Sequence, residues 1–296
     1  MHRASSSSGK SGLAGLAPGA GAIQTVPMPF TLAHPAAVLP LVTLLQRRLG
    51  RGGVLSALIV GSMVPDIAFL LPIGVTRAQS HSFAGLLWCC LPLGLAGYLL
   101  FHWLLKAPLI DLLPHDSYSR LHPYARTDTA VSGRLLPVIL LCIGVGALTH
   151  LAWDSFTHRD SMIVSSLPWL RLRLFSGGGF WVYVYTALQW ICSLLGMGAL
   201  ALWGRRWVAA TPQSAALPSS PLSVRQRWGV VVFVLGVAAV MAVMAVWPHL
   251  FGDGRRLSSQ ELVNITLLGW ISGFGVGLAA WAIFWRMLPL RRHTKP

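Results

Sequence analysis

The sequence predicts an all-α, polytopic membrane bundle of about seven helices, six or seven in number, and three observations carry that expectation. Of 296 residues, 54% are hydrophobic and only 10% are charged, with a mean hydropathy of +0.63. A soluble domain carries roughly 25% charged residues, so this chain lacks the polar surface that water requires. Its apolar residues gather into runs of about 17 to 25, the length a bilayer core about 30 Å thick selects. The basic residues sit mostly in the intervening turns and the tail, among them Arg47, Arg48, Arg205, Arg206 and Arg291. Topology signals and anionic headgroups account for such placement. No nucleic-acid motif accompanies the net charge of +15, so nucleic acid is not an expected partner and membrane lipids are.

In chain order, residues 1–27 are rich in Ser, Gly and Ala, contain no acid and hold no continuous apolar core. A disordered extension is expected there rather than a cleaved signal peptide, with Met28 as a candidate first residue. Helical segments follow near 31–46, 54–72, 83–105, 134–157, 181–203, 228–248 and 263–285. The first is short enough to be re-entrant or interfacial. Residues 106–133 read as a polar link, and 204–227 as a Pro/Ser/Ala linker. That linker divides a five-helix body, 28–203, from two further membrane helices, 228–285, and a basic tail, 286–296. Placing the Arg-rich links and tail in the cytoplasm puts the 73–82 turn and the 158–180 and 249–262 loops outside. The four cysteines, Cys89, Cys90, Cys142 and Cys192, all lie in apolar segments without a C-x-x-C pair, and are expected to be free.

Chemistry concentrates in "THLAWDSFTHRD", Thr149 to Asp160. His150, Asp154 and His158 are spaced four apart, so on a helix they share one stripe. The expected topology adds His34 at the start of the first segment, Asp66 near the outer end of the second, and His81 opening the third. Six imidazole and carboxylate groups thus gather on one membrane face in a chain with only 8 acidic residues. An ionised Asp in hydrocarbon costs at least about 2.5–3.5 kcal/mol, so partners or function must compensate it. Three arrangements do so: a divalent-metal site, a proton relay of a transporter, or a His/Asp staple between helices. Zinc suits the donor set best, with manganese or iron as alternatives. A relay should cross the membrane, whereas these residues stay at one face. A Ser-His-Asp triad is disfavoured because Ser82 adjoins His81, and Ser155 adjoins Asp154, about 100° apart on a helix, and no G-x-S-x-G is present.

The stretches "MPFTLAHPAAVLPL", "ALIVGSMVPDIAFLL", "SHSFAGLLWCCLPLGL", "LTHLAWDSFTHRD" and "LQWICSLLG" resemble, in this order, the bacterial integral membrane family catalogued as domain of unknown function 4184. The resemblance spans about residues 28–250. More distantly the pattern is similar to the inner-membrane-bound metal-dependent hydrolases, and to the zinc-dependent phospholipase C and P1-nuclease group. The latter resemblance implies a zinc-binding His-x3-Asp at His150 and Asp154, and aligns Pro65 and Asp66 with a Pro-Asp motif. Those membrane hydrolases usually follow Pro-Asp with a second carboxylate, where this chain has Ile67 and Ala68.

The combined expectation is a multi-pass protein of the bacterial cytoplasmic (inner) membrane, with a metal pocket of His34, Asp66, His81, His150, Asp154 and His158. Its activity would be hydrolysis of a lipid-linked phosphate or ester in the outer leaflet, with Asp66 as the catalytic base. The contrasting expectation is a non-enzymatic transporter or structural protein. Oligomeric state is open. The topology has a direct check. A cysteine at Gly178 should react with an impermeant thiol reagent in intact cells and one at Ser214 should not; reversed labelling would place the site on the cytoplasmic side.

Overall fold

Two helices that cross at glycines set the geometry of the molecule. The computed structural model describes residues 31–50, 52–71, 73–125, 133–177, 180–214, 222–251 and 258–288. The expected extension 1–27, and the basic tail beyond 288, lie outside the described residues. A 3-10 segment, Thr31–Val38, leads into α1 (Leu39–Leu49) and then α2 (Val54–Leu70). A short turn carries α3 (Arg77–Ser80) into the long α4 (Phe83–Asp111), which contains two π-helical stretches, Leu86–Cys90 and Phe101–Leu105. There follow α5 (His115–Ala125), α6 (Leu136–Thr157) and α7 (Met162–Ser166). An antiparallel hairpin of β1 (Arg173–Gly177) and β2 (Phe180–Tyr183) precedes α8 (Val184–Ala210), α9 (Val224–Phe251) and α10 (Ser259–Met287).

Each of the seven expected segments is helical, but seven crossings are not what the lengths support. Among the described residues, five stretches are long and apolar enough to span a bilayer: 83–111, 136–166, 184–210, 224–251 and 261–287. The helix α2 is apolar yet has 17 residues, and the 11-residue α1 is broken from Thr31–Val38 by a change of helix type around Pro35 and Pro40. Proline supplies the reason, since it removes a backbone donor and crowds the preceding turn. Two further expectations need correction. The described part of the 106–133 link is largely helical, because α4 continues to Asp111 and α5 follows. The 158–180 loop contains α7 and most of a β-hairpin. The spans' outward side chains are themselves apolar, with Leu194 76% and Val232 66% exposed, as a lipid solvent selects. The chain is a helical membrane protein.

The α2–α6 pair forms the centre. A Cβ on Gly146 of α6 would lie 2.7 Å from the amide nitrogen of Ser62 in α2, so the two backbones touch where no side chain fits. Close approach through small residues is how helices associate in lipid, where no hydrophobic drive separates protein from solvent. Val38, Leu58, Tyr98, Ile139 and Ile143 close around this crossing. In α10, Gly269, Gly273 and Gly277 recur every four residues and pack onto Ala242, Ala238 and Val234 of α9. That hairpin meets the body at the end of α4, where Trp285 Nε1 donates to Asp111 Oδ2 (2.8 Å). At the same level Arg120 of α5 donates to the carbonyl of Thr211 (2.7 Å), which closes the end of α8.

Overpacking a tight site costs about 1–3 kcal/mol. Gly146→Leu should therefore lower the melting temperature in detergent clearly. Gly198→Leu, where an added Cβ meets nothing within 4 Å, should leave it nearly unchanged. Equal melting of the two variants would mean that the α2–α6 contact does not organise the fold.

Candidate metal centre

The glycine crossing brings the last turns of α2 and α6 side by side and puts Asp66 between His150 and the α3 turn. In α6, the i, i+4 spacing places His150 and Asp154 on one face, with side chains directed back along the helix. The turn from α2 to α4 is fixed by local caps. Thr76 and Gln79 form a reciprocal capping box, and the Ser82 hydroxyl accepts from the Gly85 amide (2.9 Å). Arg77 and His81, again four apart, thereby face the same carboxylates.

Four groups, Asp66, His81, His150 and Asp154, meet with their ligand atoms within 4.8 Å of one another. His81 Nε2 lies 3.4 Å from Asp66 Oδ1 and 3.3 Å from Asp154 Oδ2. His150 Nε2 lies 3.5 Å and 3.4 Å from those same oxygens, and 3.2 Å from His81 Nε2. Donors about 2.0–2.1 Å from a tetrahedral ion stand roughly 3.3–3.4 Å apart. Five edges of the cage therefore match a zinc-sized coordination shell.

The imidazole tautomers point the same way. His150 Nδ1 donates to the Ser62 carbonyl (2.8 Å) and His81 Nδ1 donates to the Arg77 carbonyl (3.1 Å). A carbonyl can only accept, so each ring keeps a proton on Nδ1 and, when neutral, turns the lone pair of Nε2 into the cage. Fixing the far nitrogen on a backbone oxygen is how proteins orient metal-binding histidines. Two lone pairs and two carboxylate oxygens at these distances repel one another unless a cation or proton lies among them. His150 and Asp66 are almost wholly buried, which makes that compensation obligatory.

The other two expected residues stand beside the cage. His34 Nε2 donates to the second oxygen of Asp154, Oδ1 (3.0 Å), and its ring stacks on His150 at 3.9 Å. His158 donates through Nδ1 to the Asp154 carbonyl (3.3 Å), and its Nε2 accepts from Gln189 (3.4 Å). All six residues thus converge, four as corners and two as supports.

Sequence reasoning missed Arg77, Thr31, Ser62 and Gln189. Arg77 Nη1 donates to Asp66 Oδ1 (3.2 Å) and Nη2 to Asp154 Oδ2 (2.6 Å), while the Thr31 hydroxyl donates to Asp66 Oδ2 (2.8 Å). Arg77 had a signal: it is an arginine in an expected outer turn, four residues before His81. Ser62 had none, because it acts through its backbone carbonyl.

Fold and site define a multi-pass helical membrane protein whose bundle buries a His/Asp cluster able to hold a metal ion at one end. A family model described as "Domain of unknown function (DUF4184)" matches residues 28–283, and the chain belongs to that family. No curated protein and no solved structure shows significant similarity to it.

If the cage holds an ion, purified protein should carry a divalent metal near one equivalent by elemental analysis. Asp154→Ala and His150→Ala should carry little, and His122→Ala, remote from the cage, should match wild type. Added zinc should raise the melting temperature by mass action. A staple predicts instead that Asp154→Ala melts early, since an orphaned buried charge costs about 3–5 kcal/mol, while no variant responds to metal or chelator.

Proposed function

We propose that the protein is a divalent-metal-dependent hydrolase of a phosphate or other ester carried by a membrane lipid, acting at the outer leaflet of a bacterial cytoplasmic membrane. The five cage edges of 3.2–3.5 Å, with both Nε2 lone pairs aimed inward, carry this reading. Zinc fits the spacing best, with manganese and iron as alternatives. A divalent ion held by these residues would supply Lewis acidity and would lower the pKa of a bound water towards about 7.

The chain's own residues divide the remaining work. His81, His150 and Asp154 form a two-imidazole, one-carboxylate set, the composition that leaves one position open at catalytic zinc. His34 holds the far oxygen of Asp154, fixing that carboxylate's rotation. Asp66 presents Oδ1 to the same two Nε2 atoms, 3.4 Å from His81 and 3.5 Å from His150, while Oδ2 is held by the Thr31 hydroxyl. Wherever the other three corners alone held the ion, Asp66 would be the base that takes the proton of an attacking water. A lipid substrate is favoured by the apolar rim beside the cluster, where Phe83 is 78% and Leu32 56% exposed.

One observation favours the second reading, a non-enzymatic staple: Arg77 bridges the two carboxylates and so neutralises half of their charge. Turnover separates the two. Stripped protein reloaded with zinc or manganese should hydrolyse p-nitrophenyl phosphate, bis-p-nitrophenyl phosphate or phosphatidic acid in mixed micelles. Chelator should abolish this, and Asp66→Asn should lower kcat by about 10²–10⁴-fold with metal content retained. Metal-loaded protein that turns over none of these probes would overturn the hydrolase reading, and protein that takes up no metal would leave the staple standing.

A further inference from the structure

We infer that Arg77 is an exchangeable counter-ion: it pairs with Asp66 and Asp154 while the cage holds no divalent ion, and turns to the phosphate group of an anionic ligand once the cage is filled. This rests on the metal reading above and names the chemical class its ligand must carry.

The two guanidinium nitrogens bind Asp66 Oδ1 and Asp154 Oδ2, the same two atoms that form corners of the cage with His81 and His150. An ion at those corners and the guanidinium therefore draw on the same oxygens and repel each other. Charge fixes the direction of the exchange. Two carboxylates and one guanidinium leave a net charge of −1, and a divalent ion turns this to +1. The filled site is then over-compensated in a low-dielectric setting, and an anion relieves it.

Arg77 is the cluster member able to move. Its side chain is 34% exposed, against 2% for Asp66, 6% for Asp154 and 14% for His81. It projects from a four-residue helix held by the Thr76/Gln79 box, with its guanidinium 5.7 Å from the centre of the Phe69 ring. That ring can support a cation in either position. Residues 71–90 contain no Asp or Glu, so nothing acidic in the turn competes for the freed fork. A planar fork matches phosphate oxygens two at a time, which a lysine ammonium cannot do.

The test compares metal-stripped wild type, Arg77→Gln and Arg77→Lys in detergent. Calorimetric titration with zinc chloride comes first, then titration of the zinc-loaded proteins with inorganic phosphate and with dihexanoyl phosphatidic acid. Arg77→Gln should bind zinc more tightly than wild type, by roughly tenfold, and bind the phosphate probe at least about tenfold more weakly, the scale of one charged hydrogen bond. Arg77→Lys should keep wild-type zinc affinity and lose most of the phosphate affinity. Tighter binding of phosphatidic acid than of phosphate assigns the lipid headgroup as the source, and equal binding assigns free phosphate. Zinc and phosphate affinities unchanged in both variants, with melting lowered equally in stripped and loaded forms, would make Arg77 a plain staple and overturn the inference alone. Absence of zinc binding in wild type would instead remove the metal reading and this inference together. Should Arg77→Gln not survive purification, unchanged phosphate affinity in Arg77→Lys is sufficient to overturn it.

Discussion

Two carboxylates buried in the apolar end of a helix bundle set the terms for everything around them. Asp66 and Asp154 come from different helices, α2 and α6, and both are almost closed to solvent. Neither could stay ionised there alone, because removing a carboxylate from water costs several kcal/mol even after relaxation. The surroundings answer that cost from every side. Four imidazoles, a guanidinium and a hydroxyl reach the two groups, drawn from Thr31, His34, Arg77, His81, His150 and His158. They come from the Thr31–Val38 segment, the α3 turn and α6 with its C-cap, so the site also ties that segment, α2 and the α3 turn to α6.

The glycine crossing makes this possible. With Gly61 and Gly146 in contact, the backbones of α2 and α6 lie close enough for the Ser62 carbonyl to accept from His150 Nδ1. That single bond decides which nitrogen of His150 faces the carboxylates. A wider crossing would leave the ring free to turn, and the cage would lose one corner. Packing and chemistry are therefore one constraint at this place: the helix separation is also the orienting device of a ligand.

The α9–α10 hairpin follows a different logic. Its glycine stripe seals two long spans against each other, and its link to the body runs through Asp111 and Trp285 at the end of α4, on a different part of the chain from the cluster. None of the cluster residues lies in it.

Much of this was legible in the residues themselves, because hydropathy and helical spacing are local properties. Long apolar runs require a bilayer, and the i, i+4 placement of His150 and Asp154 requires one shared face whatever else the chain does. The six His and Asp residues could be gathered onto one end from turn order alone. The number of crossings could not, since prolines near 35 and 40 and a 17-residue α2 alter lengths that periodicity reads only approximately. Nor could the division of six residues into four corners and two supports, which depends on ångström distances between separate helices. Arg77 was hidden for a related reason: a charged residue in a turn reads as solvated until the fold places two carboxylates against it. Sequence determined which groups are present and on which helical faces. Only the tertiary structure decided which nitrogen of each ring faces in and which cation balances the charge, because lone-pair direction and charge compensation arise between elements, not along them.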